Sequence, residues 1–387
     1  MTTDRRALAA VATQFFVNGF VYATIIPRYP EIRDRVEIST GGLGFVLTMG
    51  SIAGLLGSVL AGGVVARVGT RRSVVLAQSL TILGVGAIGL ATHPVVLVGG
   101  LMAVLFFDVF ADVAMNMQGS VLSGRRHTPV MNRLHGLWSL ATVSGGLLAT
   151  AVVAFGVSVP VHFIVVALAL LVVQVLVWPN LLPVDEPHDE PGDHRAEADS
   201  RSSGGRGGAV VLALAGAAAM AMESGVGDWA AIRLTDDLTT SPEFAAAGFV
   251  AFTAGMTIGR LSGDWFQVRL GVHRLLLDAS IMALTGLAVA VLVGNQWLVL
   301  PGLLVGGLGI SVQFPQLYDA AARFPGRPGQ GFTAMLLGQR LAAVLTPLII
   351  GTLAQTSALG VGEAMAVVVL PAAALTIGLS LLHAAGR

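Results

Sequence analysis

The chain has 387 residues, 22 basic and 22 acidic for a net charge of zero, and no cysteine. It is 55% hydrophobic and 11% charged, with a mean hydropathy of +0.80, whereas soluble domains carry about 25% charged residues. These values exclude a soluble globular domain, a disulfide framework, a thiolate metal site and a basic nucleic-acid binder.

Apolar runs of about 17–25 residues are long enough to cross a bilayer as helices. Twelve are expected. The first six are 7–26, 42–65, 73–92, 95–122, 136–156 and 159–178, and the second six are 209–231, 245–263, 275–293, 298–322, 332–356 and 362–384. The first run follows Arg5 and Arg6, lacks a small-residue cleavage site and enters a polar loop. It reads as a retained span rather than a cleaved signal. The architecture expected is an all-α integral membrane protein of two six-helix halves, 1–178 and 209–387.

The stretch between them, Pro179 to Gly208, is rich in proline, glycine and acids. It reads as a flexible cytoplasmic linker, since almost nothing in it is apolar enough to bury. His188 and His194 lie among its acids, and a solvated linker accounts for them better than a metal site does. Every basic residue is an arginine, which reads as codon bias. With both termini inside, seventeen arginines fall on the inner side. Four fall on the outer side (Arg28, Arg33, Arg35, Arg233) and Arg340 lies within a span. That asymmetry orients the chain with cytoplasmic termini.

The halves repeat at an offset of 202 residues. ARVGTRR (Ala66 to Arg72) matches VRLGVHR (Val268 to Arg274), and the offset also pairs Gly100 with Gly302 and Gly136 with Gly338. Paired repeats place a solute site near the bilayer midplane, reached alternately from each side.

The fourth run carries Asp108, Asp112 and Asn116, each four residues from the last. That spacing stacks them on one helical face. An acid at the bilayer centre costs about 2.5–3.5 kcal/mol, so such groups face a bundle interior or a wet cavity. An acid in an occluded cavity can exchange protons near neutral pH, which makes Asp112, then Asp108, candidate proton-coupling groups. The alternative is a structural bond from Asp112 and Asn116 to span 2 or the following loop.

Glu223 in span 7 stands beside Ser224, Gly225 and Gly227, where the helix is thin, and is read as serving coupling, solute binding or a structural bond. Trp229 reads as an interfacial anchor. Arg340 must be paired if buried. Pairing with Asp319 or another acid is favoured over clamping an anionic solute. Gln14 and Asn18 share a face of span 1, and Gln313 and Gln316 a face of span 10 beside a kink expected at Pro315. These amides suit a hydroxyl-rich solute or helix–helix bonding equally. His135, at the start of span 5, reads as a helix-start hydrogen-bonding group ahead of a proton relay.

The two R-x-G-x-x-R loops resemble those of the major facilitator superfamily, whose signature is G-x-x-x-D-R-x-G-R-R. Gly62, Arg67, Gly69, Arg71 and Arg72 match its first copy, and Arg269, Gly271 and Arg274 the second. The resemblance implies that these residues gate the inner loops. Ala66 and Val268 stand at the position of the signature's acid and Thr70 at that of its next arginine, so the ion pair attributed to that acid is not carried over. DVAMNMQG (Asp112 to Gly119), MNRLHGLWS (Met131 to Ser139) and GDWAAIRL (Gly227 to Leu234) resemble a fucose-permease-like branch. The family likeness implies that spans 1, 4, 7 and 10 line the cavity and that a carboxylate on span 4 couples protons.

The expected function is secondary transport of a small polar solute such as a sugar or polyol, driven by protons. The partners are the solute, protons and the lipid bilayer, with no nucleic acid and no cofactor. The protein is expected to act as a monomer in the plasma membrane. Proton-driven export of drugs or metabolites is the alternative, weakened because span 5 has Gly136 and Gly145 but no proline between them. A transport-inactive sensor or scaffold is a remoter one. No H-E-x-x-H, Walker loop or cysteine nucleophile points to an enzyme.

Overall fold

The computed structural model describes residues 3–126, 130–182, 206–324, 330–356 and 358–385. Among these residues every regular element is helical, and twelve helices are long and apolar enough to cross a membrane. The chain divides into two compact units, Met1–His188 and Asp189–Arg387.

The first unit contains α1 (Thr3–Ile25), the short α2 (Tyr29–Arg35), α3 (Thr40–Val68), α4 (Thr70–Leu90), α5 (Pro94–Arg126), α6 (Met131–Ala154) and α7 (Val159–Val177). The second contains α8 (Arg206–Gly227), the short α9 (Ala230–Asp236), α10 (Pro242–Leu270), α11 (Val272–Leu292), α12 (Gln296–Ile310), α13 (Gln313–Ala322), α14 (Gln330–Thr356) and α15 (Val361–Ala385). Each long helix matches one expected span, except that the tenth is divided between α12 and α13. The break falls at Ser311 and Val312, three residues ahead of Pro315. Proline has no N–H to bond the carbonyl four residues back, so the helix is interrupted there.

The helices expose apolar side chains on their outer faces. On α7, Val165, Leu168, Val172, Val175 and Leu176 form an exposed stripe at helical spacing, while Phe163, Val166, Ala167 and Gln174 are buried on the other side. A stripe of that length in water is an aggregation hazard, whereas in lipid it is the solvated face.

Within each unit, glycines let backbones touch. A Cβ built on Gly84 of α4 would lie 3.0 Å from the Gly100 carbonyl oxygen of α5. One built on Gly286 of α11 would lie 2.9 Å from the Gly302 carbonyl oxygen of α12. The two contacts are related by the offset of 202, so the sequence repeat is a repeat of packing. Gly136 and Gly338 do not extend it: Gly136 has nothing within 4 Å of such a Cβ, whereas Gly338 abuts Ala213.

The signature loops are single-residue breaks between long helices. Gly69 joins α3 to α4 at φ 89°, ψ 147°, and Gly271 joins α10 to α11 at φ 76°, ψ 157°. That region is open essentially to glycine alone, which explains why both copies keep it.

The first residues of the expected linker pack against the first unit. Trp178–Asn180 form a 3-10 turn, and Leu181 and Leu182 are buried with Phe15, Val74, Met115 and Leu122 in an apolar cluster of the first unit. The Leu182 backbone N–H donates to Gln118 of α5 at 3.3 Å, and the Gln118 amide donates to Thr70 at 3.2 Å. The remainder of the linker, with His188 and His194, lies outside the described residues.

Candidate functional site

In the first unit, polar residues gather where α1, α5 and α6 meet. Gly19 on α1 permits the approach, since a Cβ built there would lie 2.5 Å from the Trp138 carbonyl oxygen of α6. One residue earlier, Asn18 is buried and bonded at both ends of its amide. Its Nδ2 donates to Asp108 Oδ1 at 2.6 Å, and its Oδ1 accepts from Trp138 Nε1 at 2.8 Å. Asn18 therefore ties the α5 acid to the α6 indole, and Trp138 fixes which way the amide points.

Asp112 and Asn116 continue along α5. The Asn116 amide donates to both the Asp112 carbonyl oxygen and its Oδ1, each at 2.9 Å. Asp112 is exposed and Asn116 half-buried. The bond between them runs within the helix itself. The three α5 residues do share a face, and the acids on it receive hydrogen bonds from neutral amides. His135 is also exposed, its ring meeting Phe15 edge-on at 5.2 Å.

Gln14 has a different environment from Asn18. It is fully buried, and its amide exchanges hydrogen bonds with Gln174 of α7 at 2.8 and 3.3 Å. Donor and acceptor are both engaged, which favours the helix-bonding reading of Gln14 over the solute-contacting one. In the second unit the amides are engaged only in part. Gln313 is buried and donates to Ser280 of α11 at 3.0 Å, and Gln316 donates to Gln267 of α10 at 2.7 Å. Both bonds join neighbouring helices, and the Gln316 Oε1 is buried without a hydrogen-bond partner among the described residues.

Glu223 sits on α8, which continues past Gly225 and ends at Gly227, where a two-residue turn leads to α9. Its Oε2 lies 3.7 Å from Nη2 of Arg260 on α10, with the two side chains 29% and 27% exposed. Arg260, counted on the inner side from sequence, thus lies against an acid within the spans. Arg340 is half-buried on α14 and makes no hydrogen bond or ion pair among the described residues. Its expected partner Asp319 pairs instead with Arg323, one turn away on α13 at 2.8 Å. A contact at i, i+4 is geometrically the cheaper choice for that acid.

The signature arginines occupy the ends of the helices. Arg71 lies over the Trp178 ring at 5.1 Å and Arg269 over Trp265 at 3.9 Å, both cation–π contacts. Arg274 faces Asp278 at 3.6 Å. Arg67 and Arg72 are exposed, and Gly62 meets no neighbour that a Cβ would touch.

Three of the four arginines assigned to the outer side are buried. Arg28 bonds Glu31, the Val157 carbonyl and His162. Arg33 bonds Asp34 and Thr40. Arg233 donates to the Val293 carbonyl at the end of α11 at 3.0 Å and lies 4.0 Å from Asp237. Burial pushes the Arg233 guanidinium below its ordinary value, and the Asp237 charge opposes that shift. Asp237 in turn accepts from the Val361 and Gly362 N–H groups at 2.9 and 2.7 Å, closing the start of α15. Trp229, read as an interfacial anchor, is completely buried. The signal for the buried arginines was the acid three or four residues on, Glu31 after Arg28 and Asp237 after Arg233.

An uncharacterized MFS-type transporter of Yersinia pestis is 28% identical over 353 residues, covering 90% of this chain and 88% of the relative. Membrane protein MosC of Rhizobium meliloti is 26% identical over 366 residues, covering 92% and 86%. Among solved structures, the nucleoside transporter NupG superposes with a TM-score of 0.74 at 12% identity, covering 100% of this chain and 99% of that one. A bacterial homolog of the human lysosomal transporter Spinster, in an inward-facing and unoccupied conformation, gives 0.68 at 14%, covering 100% and 96%. These structural likenesses concern the fold. The profile of the Major Facilitator Superfamily matches residues 11–347, and the chain belongs to that family of membrane transporters.

Proposed function

We propose that this protein moves a small polar solute by alternating access and couples that movement to protons through the α5 acids. The observation that carries the reading is the Asn18–Asp108 hydrogen bond, continued by Asp112 and Asn116 along one face. A carboxylate in a span bonded by a neutral amide can take a proton without leaving a buried cation unpaired, which is the requirement for a reversible proton carrier. Asp108 and Asp112 bind the proton, and Asn18 and Asn116 orient them. The arginine asymmetry supports cytoplasmic termini, and the bacterial relatives support the plasma membrane. Likeness to a fucose-permease-like branch supports a hydroxylated solute. Nucleosides join the candidates because a transporter of the same fold is named for them.

The test has two stages. A thermal-shift screen of sugars, polyols, nucleosides and organic acids on the purified protein identifies a solute. A ligand at 100 times its Kd raises stability by about 2.7 kcal/mol. Proteoliposomes then compare wild type with Asp108→Asn and Asp112→Asn. Accumulation driven by an inward proton gradient should fall at least tenfold in one or both, while counterflow exchange persists. Undiminished accumulation in both variants rejects the coupling role. Solute extrusion driven by the gradient turns the reading to export.

A further inference from the structure

We infer that the transported solute carries an anionic group, a carboxylate or phosphate, and that Arg260 on α10 receives it. The inference rests on the transport reading above and narrows its substrate class.

Glu223, Arg260 and Arg340 are charged side chains within spans of the second unit, Arg260 three residues from the end of its own. A guanidinium presents five N–H donors in a planar fork. None of the five in Arg260 is hydrogen-bonded among the described residues, and its one charge contact is the Glu223 oxygen at 3.7 Å, beyond hydrogen-bond reach. That oxygen is itself buried and accepts no hydrogen bond. An ion pair inside a membrane protein recovers its desolvation cost only with close geometry and saturated hydrogen bonds, and this pair has neither.

Compare Arg28, which is almost fully buried and spends its guanidinium on Glu31, the Val157 carbonyl and His162. Arg233 is buried too and donates to the Val293 carbonyl, with its Nε and Nη1 unbonded among the described residues. Arg260 is instead 27% exposed, so its donors can be reached. The loose Glu223 contact offsets its charge when no solute is present, and the donor fork remains open to a bidentate acceptor such as a carboxylate or phosphate. Glu223 disfavours neutral replacement of that acceptor least and a second anion most, so its removal strengthens anion binding.

The experiment pairs anionic probes with their neutral counterparts on the purified full-length protein: gluconate with glucose, galacturonate with galactose, glycerol 3-phosphate with glycerol. Wild type should show a saturable rise in Tm with at least one anionic member and none with its neutral partner. Arg260→Gln should weaken that binding at least tenfold, Arg260→Lys should restore it only in part, and Glu223→Gln should tighten it. Size-exclusion profiles and unliganded Tm values check that the variants fold. Neutral members acting as well as anionic ones, binding indifferent to Arg260→Gln, or no response to any anionic probe would each overturn the inference. If neutral solutes bind and Asp108→Asn still abolishes their proton-driven accumulation, the transport reading stands and the anion inference alone fails.

Discussion

In the first unit the α5 acids take hydrogen bonds from amides, and in the second Glu223 is set against an arginine. Asp108 receives Asn18 at 2.6 Å, while Glu223 faces Arg260 at 3.7 Å without a hydrogen bond. Yet the glycines that pack α4 on α5 recur, 202 residues on, in the contact between α11 and α12. So do the single-glycine turns at Gly69 and Gly271. Backbone geometry is repeated and interior charge is not. Close helix packing tolerates few residue types, so both copies keep glycine there. A cavity side chain is free to diverge once the backbone that carries it is secured.

The strongest challenge to this comparison is to spoil the same packing contact in each unit. Gly100→Val and Gly302→Val both push a branched side chain into a facing backbone. Such overpacking costs typically 1–3 kcal/mol, and rigid backbone on the far side puts these at about 3 kcal/mol. Both variants should lose most of their monodisperse yield and melt well below wild type. Collapse of one with the other unaffected would show that the repeated contact does not carry equal weight in the two units.

A smaller effect separates two arginines that do similar work. Arg35 donates to the Ala91 carbonyl at the end of α4 at 3.1 Å, and Arg233 donates to the Val293 carbonyl at the end of α11. Ala91 and Val293 are again 202 apart. Arg35 is exposed, whereas Arg233 is buried beside Asp237. Hydrogen bonds from charged groups contribute about 1.5–3 kcal/mol when shielded, so Arg233→Met should cost about 2 kcal/mol. Arg35→Met should cost less than about 1 kcal/mol, because water can replace the exposed donor. Chemical denaturation in detergent compares them, and equal losses would deny that burial sets the difference.

The scaffold was legible in the sequence because lipid imposes a simple code. Each span needs a long apolar run, and each one-residue turn between helices needs a glycine. The α5 row was legible too, since a spacing of four fixes a helical face whatever surrounds it. Partners on other helices were not. Nothing local to Asn18 announces Asp108 or Trp138, which lie 90 and 120 residues away. Nothing near Gln14 announces Gln174. The arginine asymmetry assigns residues to a side and says nothing of burial, and Arg28, Arg33 and Arg233 on the outer side are buried. The same limit governs amides, which look alike in sequence whether they bind a solute or a neighbouring helix.

Gln14 and Asn18 show how finely that last distinction runs, for they stand one turn apart on α1. Gln14 and Gln174 satisfy each other's amides. Gln14→Leu alone strands the Gln174 amide in a buried site and should cost about 1 kcal/mol, near the average for polar contacts between membrane helices. Gln174→Leu should cost a similar amount. The double variant Gln14→Leu/Gln174→Leu removes donor and acceptor together and leaves neither stranded, so it should recover most of the loss. A double-mutant cycle on Tm, with counterflow measured beside it, decides the matter. Recovery of stability with exchange intact makes Gln14 a structural neighbour of the solute path. Additive losses would mean that the two amides do not act as a pair. A folded double variant that no longer exchanges solute would return Gln14 to the site and place the polar path one turn further along α1 than Asn18 marks it.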